Sequence, residues 1–475
     1  MNYDFAVIGG GVVGSAILNK LTRLGKSCVL IEKESDVGFG SSKANSAIIH
    51  TGFDCTPGTL KAQLNVRGAE IFPEVAKRLG VKIVNNGHLV VGNDLDQLNA
   101  LKEKGEKNGV KGLEIIGFDK LHQLEPMLSE DIKYALFAPT GCIVPSYELA
   151  VAFAEEAVIN GADVKLNFDI NAISHENGLY KIVGNTQNIC TKYIINACGS
   201  GYNDVAKLIG SEVYPLTFRR GEYYILDKNY SNVCSHTIFP LPTKDSKGIL
   251  ITNTVAGNIL VGPTSYECDT STKTTAGGLN EVREKALSEM PSLPLRGNIR
   301  VFSGVRNISG KDFIIEKSKA RENVINLAGI CSPGLSSAPA IAEMVAQLLG
   351  LDPSAEVKGL KTLPKKVVMA DLSLEEQNKQ IKKNPDYGKV VCKCENISLG
   401  EIIDAVNAPI PATTVDAVKR RTRAGMGRCQ GGFCIFSVME QLAKANKTSF
   451  DEIEKDARGS KIIQSEIKPN GGMAE

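Results

Sequence analysis

The stretch Asp4-Phe-Ala-Val-Ile-Gly-Gly-Gly-Val-Val-Gly14 decides the fold of this chain. It begins as a continuous apolar run, typical of a buried strand, turns through glycines and continues into a helical pattern that ends at Gly25. A second apolar strand, Ser27 to Glu32, follows directly. A strand, a helix and a strand of these lengths predict one βαβ unit at the start of an α/β domain.

Within this unit Gly9, Gly11 and Gly14 have the spacing G-x-G-x-x-G, and Glu32 ends the second strand. Gly9 permits a tight turn, Gly11 lets backbone N–H groups approach a pyrophosphate, and Gly14 lets the helix pack closely on the strand. An acidic residue at position 32 suits the ribose hydroxyls of an adenosine and disfavours a 2′-phosphate. The pattern predicts a dinucleotide site, and FAD and NAD share it.

Composition excludes several classes of protein. The 55 Lys and Arg residues nearly balance 53 Asp and Glu, so no net charge attracts nucleic acid over long distances. Twelve cysteines in 475 residues are too sparse for a disulfide scaffold, which favours a reducing, cytoplasmic compartment. No apolar run reaches the length of a membrane helix. Peripheral association with the inner face of the cell membrane remains open.

Three further segments resemble the FAD-dependent D-amino-acid-oxidase-like superfamily, in the order that this superfamily shows. They are the stretch from Gly38 to Gly52, the strand and turn Tyr193-Ile-Ile-Asn-Ala-Cys-Gly199, and the segment from Asn323 to Leu335. The resemblance spans roughly residues 3–350 and implies FAD as the cofactor, with a helix following Gly334 toward the flavin. The flavin-binding residues it implies are Ser41, Ser42, Asn45, Ala197, Gly199, Gly329, Gly334 and Leu335.

Four of the cysteines form a second motif, Cys392-x-Cys394 and Cys429-x-x-x-x-Cys434. Four thiolates can hold a [2Fe–2S] cluster or a zinc ion, and zinc usually takes wider first pairs. The surrounding sequence resembles the bacterioferritin-associated-ferredoxin-like [2Fe–2S] domain, which implies a [2Fe–2S] cluster on these four ligands. Structural zinc and unliganded thiols are the alternatives. Glycines at 427, 431 and 432 would turn backbone N–H groups toward the sulfurs.

The catalytic candidates are His50, Arg306 and Arg220. His50 lies within a flavin motif, where an imidazole can accept an alcohol proton, contact the flavin or form a covalent link to it. Arg306 resembles the anion-binding arginine of the superfamily, whose planar fork suits a carboxylate or a phosphate. Arg220 is a weaker candidate on a strand that resembles the one lining the substrate cavity.

The expected fold class is α/β: an FAD-binding Rossmann-like domain of the glutathione-reductase type, an inserted antiparallel β-rich substrate domain, and a small helical C-terminal [2Fe–2S] domain. Strands are expected at Lys82–Val91, Val164–Ile173 and Ile249–Val261, and capping boxes at Ser398 and Thr413. The predicted boundaries are FAD-binding segments at 1–80, 145–210 and 300–355, substrate-domain segments at 81–144 and 211–299, a linker at 356–386, the iron–sulfur domain at 387–447, and a C-terminal helix and tail at 448–475.

Architecture and catalytic core point to different substrates. A flavin domain followed by a four-cysteine module resembles anaerobic glycerol-3-phosphate dehydrogenases, whereas the stretch from Ile49 to Ala62 resembles L-2-hydroxyglutarate dehydrogenases. Asp54 stands where the glycerophosphate enzymes place an arginine, and Ser332-Pro-Gly334 replaces their Gly-Lys segment. Both readings predict oxidation of a CH–OH group, with electrons passing through the cluster to a flavoprotein or quinone-linked partner. An amine or imino-acid dehydrogenase and a non-enzymatic electron-transfer scaffold are the remaining alternatives.

Overall fold

The computed structural model describes residues 2–242 and 248–465. The chain forms two compact units, the first made of residues 1–31 and 37–363 and the second of residues 32–36 and 364–475. Within the described ranges, no helix is long and apolar enough to cross a lipid bilayer.

The first unit contains the strands β1 (Asn2–Ile8), β2 (Cys28–Ile31), β3 (Ile48–Ile49), β4 (His88–Gly92), β5 (Glu114–Ile116), β6 (Tyr134–Ala138), β7 (Cys142–Ile143), β8 (Asp163–Lys165), β9 (Ile170–Glu176), β10 (Leu179–Gly184), β11 (Asn188–Asn196), β12 (Thr217–Leu226), β13 (Thr237–Pro240), β14 (Leu250–Asn253), β15 (Ile259–Gly262), β16 (Tyr266–Cys268), β17 (Asn298–Ile308), β18 (Ile314–Lys317) and β19 (Val324–Ala328). Its helices are α1 (Val12–Arg23), α2 (Leu60–Leu79), α3 (Leu95–Lys107), α4 (Phe118–Leu124), α5 (Ser146–Ile159), α6 (Tyr202–Ile209), α7 (Ala276–Glu289) and α8 (Gly334–Leu348).

One sheet of this unit has the strand order β18-β19-β11-β1-β2-β8, and the β9–β10 hairpin extends β11. Strands β19, β11, β1, β2 and β8 are parallel. Every residue of β2 is buried, as expected where both faces of a parallel sheet are covered. The carboxyl ends of the central strands meet at one edge, where Ile8 is in register with Ile31 and Asn196. That edge is where open α/β sheets bind ligands.

The other sheet has the order β16-β12-β15-β14-β13-β4-β6-β5, with β17 paired to β12, and it is antiparallel except between β4 and β13. Its side chains alternate between two faces. One face packs against helix α7 through residues such as Leu89, Ile238 and Val282. The opposite face carries His88 and Phe239, because they alternate with those core residues along β4 and β13. We call this opposite surface the site face.

The second unit contains the helices α9 (Leu374–Lys383), α10 (Leu399–Val406), α11 (Val415–Thr422) and α12 (Ile435–Asn446), with the short strands β20 (Val390–Cys392) and β21 (Ile397–Ser398). Buried side chains such as Ile402, Val418 and Met439 form its core. Asp36 belongs to this unit, where its buried carboxylate accepts hydrogen bonds from both terminal nitrogens of Arg421, at 2.7 and 3.0 Å.

Several sequence expectations change in detail. The run Ile249–Val261 is two strands, β14 and β15, because Thr254–Asn258 forms a turn between them. Val164–Ile173 is likewise divided between β8 and β9, and Lys82–Val91 is a strand only from His88. The predicted connecting segment 356–386 contains helix α9, and from Pro364 it belongs to the second unit.

Of the two predicted helix caps in the second unit, one lies at the predicted residue and the other lies one residue later. Ser398 and Glu401 form the predicted capping box of α10. The cap of α11 is Thr414 rather than Thr413, and its side chain accepts a hydrogen bond from Ala417 N. Of the predicted C-terminal helix and tail, Phe450–Glu452 forms a short 3-10 turn. The tail beyond residue 465 lies outside the described residues.

Candidate active site and metal centre

The glycine-rich turn between β1 and α1 is built by close backbone approach. A Cβ atom on Gly14 would lie 2.0 Å from the carbonyl oxygen of Gly9, and one on Gly9 would lie 2.6 Å from that of Ala197. Gly9 also has a φ of 107°, which side-chain-bearing residues rarely adopt. Gly11 precedes α1 and offers no side-chain cap, so the N-terminal N–H groups of the helix are suited to a pyrophosphate.

Glu32 follows β2 directly, at the same sheet edge as the glycine turn. It is largely buried, and one carboxylate oxygen accepts a hydrogen bond from Glu34 N at 3.0 Å. An acidic side chain at the end of the second strand of a βαβ unit is the residue type that accepts hydrogen bonds from adenosine ribose hydroxyls. The glycine turn at the start of α1 therefore fits the pyrophosphate of FAD.

The stretch from Gly38 to Gly52 contacts both halves of the first unit, at helix α1 beside the parallel sheet and at strand β17 of the second sheet. Ser42 accepts a hydrogen bond from Val12 N at the start of α1, and Ser41 donates one to the carbonyl of Val305 on β17. Asn45 donates to the backbone carbonyls of Ser41 and Ser42, which fixes the turn. These contacts bring the predicted flavin-contacting residues beside the strand that carries Arg306.

The last predicted flavin segment lies between β19 and α8. Gly329 has a φ of 65°, and a Cβ on it would lie 2.8 Å from Ser309 Cβ. Helix α8 begins at Gly334, so Leu335 is in its first turn. The first turn of α8 also contacts His50, because the hydroxyl of Ser336 accepts a hydrogen bond from the backbone N–H of His50 at 2.8 Å.

His50 follows β3 and is partly buried at the junction of these segments. Its Nε2 lies 3.5 Å from the Ser332 hydroxyl, and its ring lies 5.8 Å from that of Phe239 on the site face. Its imidazole thus lies between the start of α8 and the second sheet.

The candidate arginines lie on opposite faces of the β12–β17 pair. Arg306 is directly opposite Arg219, whereas Arg220 is opposite Val305. Arg306 and Arg219 share the site face with Tyr223, whose hydroxyl lies 3.1 Å from Ser46 Oγ. Burial raises the pKa of the Tyr223 phenol, and the positive charge of Arg306 opposes that effect.

Arg220 points to the side of the sheet covered by α7, so the structure does not bring it together with Arg306 and His50. Its Nε lies 3.8 Å from the carboxylate of Glu222, which is fully buried. Glu222 also accepts hydrogen bonds from the backbone and hydroxyl of Thr275, the cap of α7. Sequence reasoning missed Arg219, and strict alternation of faces along β12 is the signal that identifies it.

The four clustered cysteines lie in the second unit as two pairs. The sulfurs of Cys394 and Cys429 are 3.6 Å apart, and the thiols of Cys392 and Cys434 form a hydrogen bond with each other. The hydrogen bond from Cys434 lowers the pKa of Cys392 to about 6. Burial acts to raise the pKa of Cys429, but N–H groups including those of Gly431 and Gly432 outweigh it.

Two pairs fit two iron atoms better than one metal ion. Four sulfurs on one zinc ion would all be roughly 3.8 Å apart. Among the described residues, no three His, Cys, Asp or Glu side chains are gathered closely enough to hold a single ion. Gly427 lies against one of the cysteines, because a Cβ there would lie 2.3 Å from Cys394 Cβ and only a glycine leaves that space. The donor set and its pairing fit a [2Fe–2S] cluster.

The fold and these two sites define a flavin-dependent oxidoreductase that carries an iron–sulfur module. The family described as FAD dependent oxidoreductase matches residues 4–348, and the BFD-like [2Fe-2S] binding domain matches residues 390–444. The chain belongs to the FAD dependent oxidoreductase family. FAD and a [2Fe–2S] cluster are its cofactors, as the resemblance in sequence implied.

Individual relatives share different lengths of the chain. A glycerol 3-phosphate dehydrogenase from Caloramator mitchellensis is 41% identical over 98% of this chain and 99% of its own length. The human mitochondrial L-2-hydroxyglutarate dehydrogenase is 30% identical over 55% of this chain and 60% of its own. The structure of the FAD-bound L-alpha-glycerophosphate oxidase from Mycoplasma pneumoniae superposes with a TM-score of 0.72 and 27% identity, covering 77% of this chain and 99% of the oxidase.

Proposed function

We propose that the protein is a dehydrogenase that oxidises the secondary alcohol of sn-glycerol 3-phosphate to a ketone and passes the electrons through its [2Fe–2S] cluster to a partner protein. The observation that carries this proposal is the relationship to a glycerol 3-phosphate dehydrogenase along 98% of the chain, which includes both cofactor modules. The similarity to the L-2-hydroxyglutarate enzyme covers 55% of the chain.

The residues of the site face have complementary roles in this reaction. FAD, when bound, supplies the acceptor for the hydride that leaves the carbinol carbon. His50 accepts the proton of the substrate hydroxyl. The electron pair of the broken O–H bond stays on the oxygen and forms the C=O bond. Arg306 binds the phosphate by charge-assisted hydrogen bonds and fixes the substrate carbon relative to His50.

A second arginine compensates for the acidic residue at position 54. Arg219 is opposite Arg306 across the β12–β17 pair, and its guanidinium is held by the side chain and carbonyl of Ser265. Two guanidinium groups on one face can neutralise a phosphate dianion, which carries both of its charges on one group, whereas L-2-hydroxyglutarate carries its two charges on separate carboxylates. This pair supports a phosphorylated substrate although Asp54 replaces the expected arginine.

We further propose that a flavoprotein or quinone-linked subunit receives the electrons at the exposed surface of the cysteine module. Phe433, beside the ligand Cys434, is 87% exposed, and Phe436 is 62% exposed. Lys393 and Arg428, each next to a ligand, are also exposed. Aromatic and cationic side chains around a redox centre suit an acidic partner that must approach closely for one-electron transfer. Docking of that complex on the inner face of the cell membrane would make this protein peripheral.

The same proposal assigns roles to the two sheets of the first unit. The parallel sheet with its glycine turn would form the FAD-binding domain, and the mostly antiparallel sheet would form the inserted substrate domain. Arg306 and Arg219 on the second sheet, and the glycine turn between β1 and α1 on the first, support this division.

Anaerobic spectroscopy tests the proposal. The protein purified without air is mixed with sn-glycerol 3-phosphate, L-2-hydroxyglutarate or L-proline, and the flavin absorbance and cluster EPR signal are followed. Bleaching by sn-glycerol 3-phosphate alone, followed by a reduced-cluster signal, supports the proposal. Bleaching by L-2-hydroxyglutarate establishes the second candidate, which the stretch from Ile49 to Ala62 favours. Bleaching by proline would indicate an imino-acid dehydrogenase, and no bleaching would indicate an electron-transfer scaffold.

A further inference from the structure

His88 is a fully buried histidine beside the candidate base. It is the first residue of β4, and neither of its ring nitrogens meets hydrogen-bond geometry with any group in the described part of the chain. The carbonyl of Cys142 lies near the ring outside that geometry. A buried polar group without a hydrogen-bond partner destabilises the folded state. Such a group close to a reaction centre indicates a role in the site.

The surrounding backbone leaves space for this imidazole. A Cβ atom on Gly141 would lie 2.3 Å from His88 Cδ2, so the glycine at that position admits the ring. Phe239 lies beside it, with ring centroids 5.4 Å apart, on the same face of the sheet. The ring of His50 is 6.1 Å away at an interplanar angle of 67°. His88 is therefore held behind His50, on the site face.

The spacing of the two imidazoles suits a bridge of one water molecule. A direct N–H···N bond would bring the ring centroids to roughly 5 Å, whereas two bonds of about 2.8 Å that meet at a bent water give a longer separation. Polar groups that share a small buried space commonly hold such a water. The observed 6.1 Å fits this second arrangement.

We propose that His88 is a positioning residue for the alcohol oxidation: through one ordered water, its neutral ring accepts a hydrogen bond from His50 and stabilises the positive charge that His50 gains with the substrate proton. The inference rests on the proposed function for the identity of the substrate. The O–H bond of the substrate alcohol breaks and an N–H bond forms on the imidazole of His50. His88 neither gains nor loses a proton in this step.

The groups around His88 keep it neutral. Burial lowers its pKa to about 3, and the nearby His50 and His236 add smaller effects in the same direction. His236 itself pairs with the buried carboxylate of Glu125 at 2.7 Å. Burial raises the pKa of the Cys142 thiol to about 12, so that group adds no charge at neutral pH. A ring that stays neutral can accept a hydrogen bond throughout the working pH range.

Two substitutions separate hydrogen bonding from space filling. His88→Phe fills the space without an acceptor, and His88→Gln retains an acceptor oxygen. The rate constant of flavin reduction by sn-glycerol 3-phosphate is measured anaerobically by stopped flow over about pH 5–8. We expect H88F to lower it by roughly 10-fold, the loss of one hydrogen bond to a charged group, with substrate Kd nearly unchanged. The acid limb should move to lower pH, and H88Q should restore most of the rate.

The matched control is His175→Gln, because the Nε2 of His175 also lacks a hydrogen-bond partner among the described residues and this histidine lies on β9. That variant should keep the rate and the pH profile. Equal impairment of H88F and H88Q, or no change in either, would overturn the proposal. If H88F loses FAD, His88→Met takes its place as the variant without a nitrogen or oxygen acceptor.

NMR of ¹⁵N-histidine-labelled protein provides a test without substrate. The wild-type His88 signals should remain those of a neutral ring, and the titration midpoint of His50 should be lower in H88F than in H175Q. An unchanged midpoint would refute the link between the rings. A lower midpoint in a protein that sn-glycerol 3-phosphate fails to reduce would support the link and reject the assigned substrate, so the two failures are distinguishable.

Discussion

Replacing Gly304 with alanine tests how the flavin-contacting stretch is held against the second sheet. A Cβ atom on Gly304 would lie 1.9 Å from the carbonyl oxygen of Ala44, on backbone that cannot rotate away. An ordinary contact is roughly 3.3 Å, so β17 and the stretch must separate by roughly 1.4 Å. That shift costs about 1–3 kcal/mol in packing and also breaks the hydrogen bond from Ser41 to Val305, worth about 1 kcal/mol.

The expected total of about 2–4 kcal/mol corresponds to a fall of about 3–5 °C in the melting temperature of a unit of this size and a lower FAD content. Calorimetry and the ratio of flavin to protein absorbance measure both effects. Gly277→Ala is the matched control, because a Cβ there, within helix α7, meets no atom within 4 Å. It should be neutral or slightly stabilising. A G304A protein with unchanged melting temperature and full FAD content would refute the described contact between Ala44 and β17.

Three further predictions concern the site face, the cluster and the pH dependence of stability. Arg306→Met should lower kcat/KM for sn-glycerol 3-phosphate by about 10²-fold, mainly through a higher KM. Arg220→Met should leave KM nearly unchanged and reduce thermal stability, because it leaves the buried Glu222 carboxylate without its counter-ion. Equal effects of the two variants on KM in steady-state assays would contradict the assignment of Arg306 alone to substrate binding. Cys429→Ala should abolish the EPR signal of the reduced cluster while substrate still bleaches the flavin, because alanine offers no iron ligand; a retained signal would exclude Cys429 as a ligand. Burial acts to raise the pKa of Glu212, but hydrogen bonds from Ser318 and neighbouring N–H groups hold it at about 2. Its contribution to stability is therefore present above the unfolded pKa near 4.3 and lost as pH falls toward 2, so Glu212→Gln should flatten this part of the curve of unfolding free energy against pH.

The cofactor sites were predictable because their signals are local in sequence. The strand before Gly9, the glycine spacing and the acid at Glu32 together predict one dinucleotide-binding turn, and the resemblance of three further segments implies FAD rather than NAD. The cysteine spacing indicated a four-thiolate site, and the resemblance of the surrounding sequence to the ferredoxin-like domain implied the [2Fe–2S] cluster. Ser398 with Glu401 specified the start of α10. Each of these depends on interactions within a few residues or on a motif whose chemistry requires it.

The substrate side was less accessible, because it depends on strand register and on contacts between distant segments. Arg219 and Arg220 are neighbours in sequence, and only the pairing of β12 with β17 shows which of them shares a face with Arg306. His88 offered no motif, since its relationship to His50 depends on how β4 and β3 are placed in the fold. A strand pattern alone leaves both questions open.

The interrupted makeup of the second unit affects how the chain can be divided for experiments. Residues 32–36 belong to that unit although they lie close to the N-terminus, and Asp36 meets the guanidinium of Arg421 there. Cutting the chain after Leu363 would remove Arg421 and leave the carboxylate of Asp36 without its counter-ion. The shortened protein would therefore lose more than the iron–sulfur domain. Grafting the iron–sulfur portion onto another enzyme would similarly require transplanting a short inner loop along with the tail-end segment.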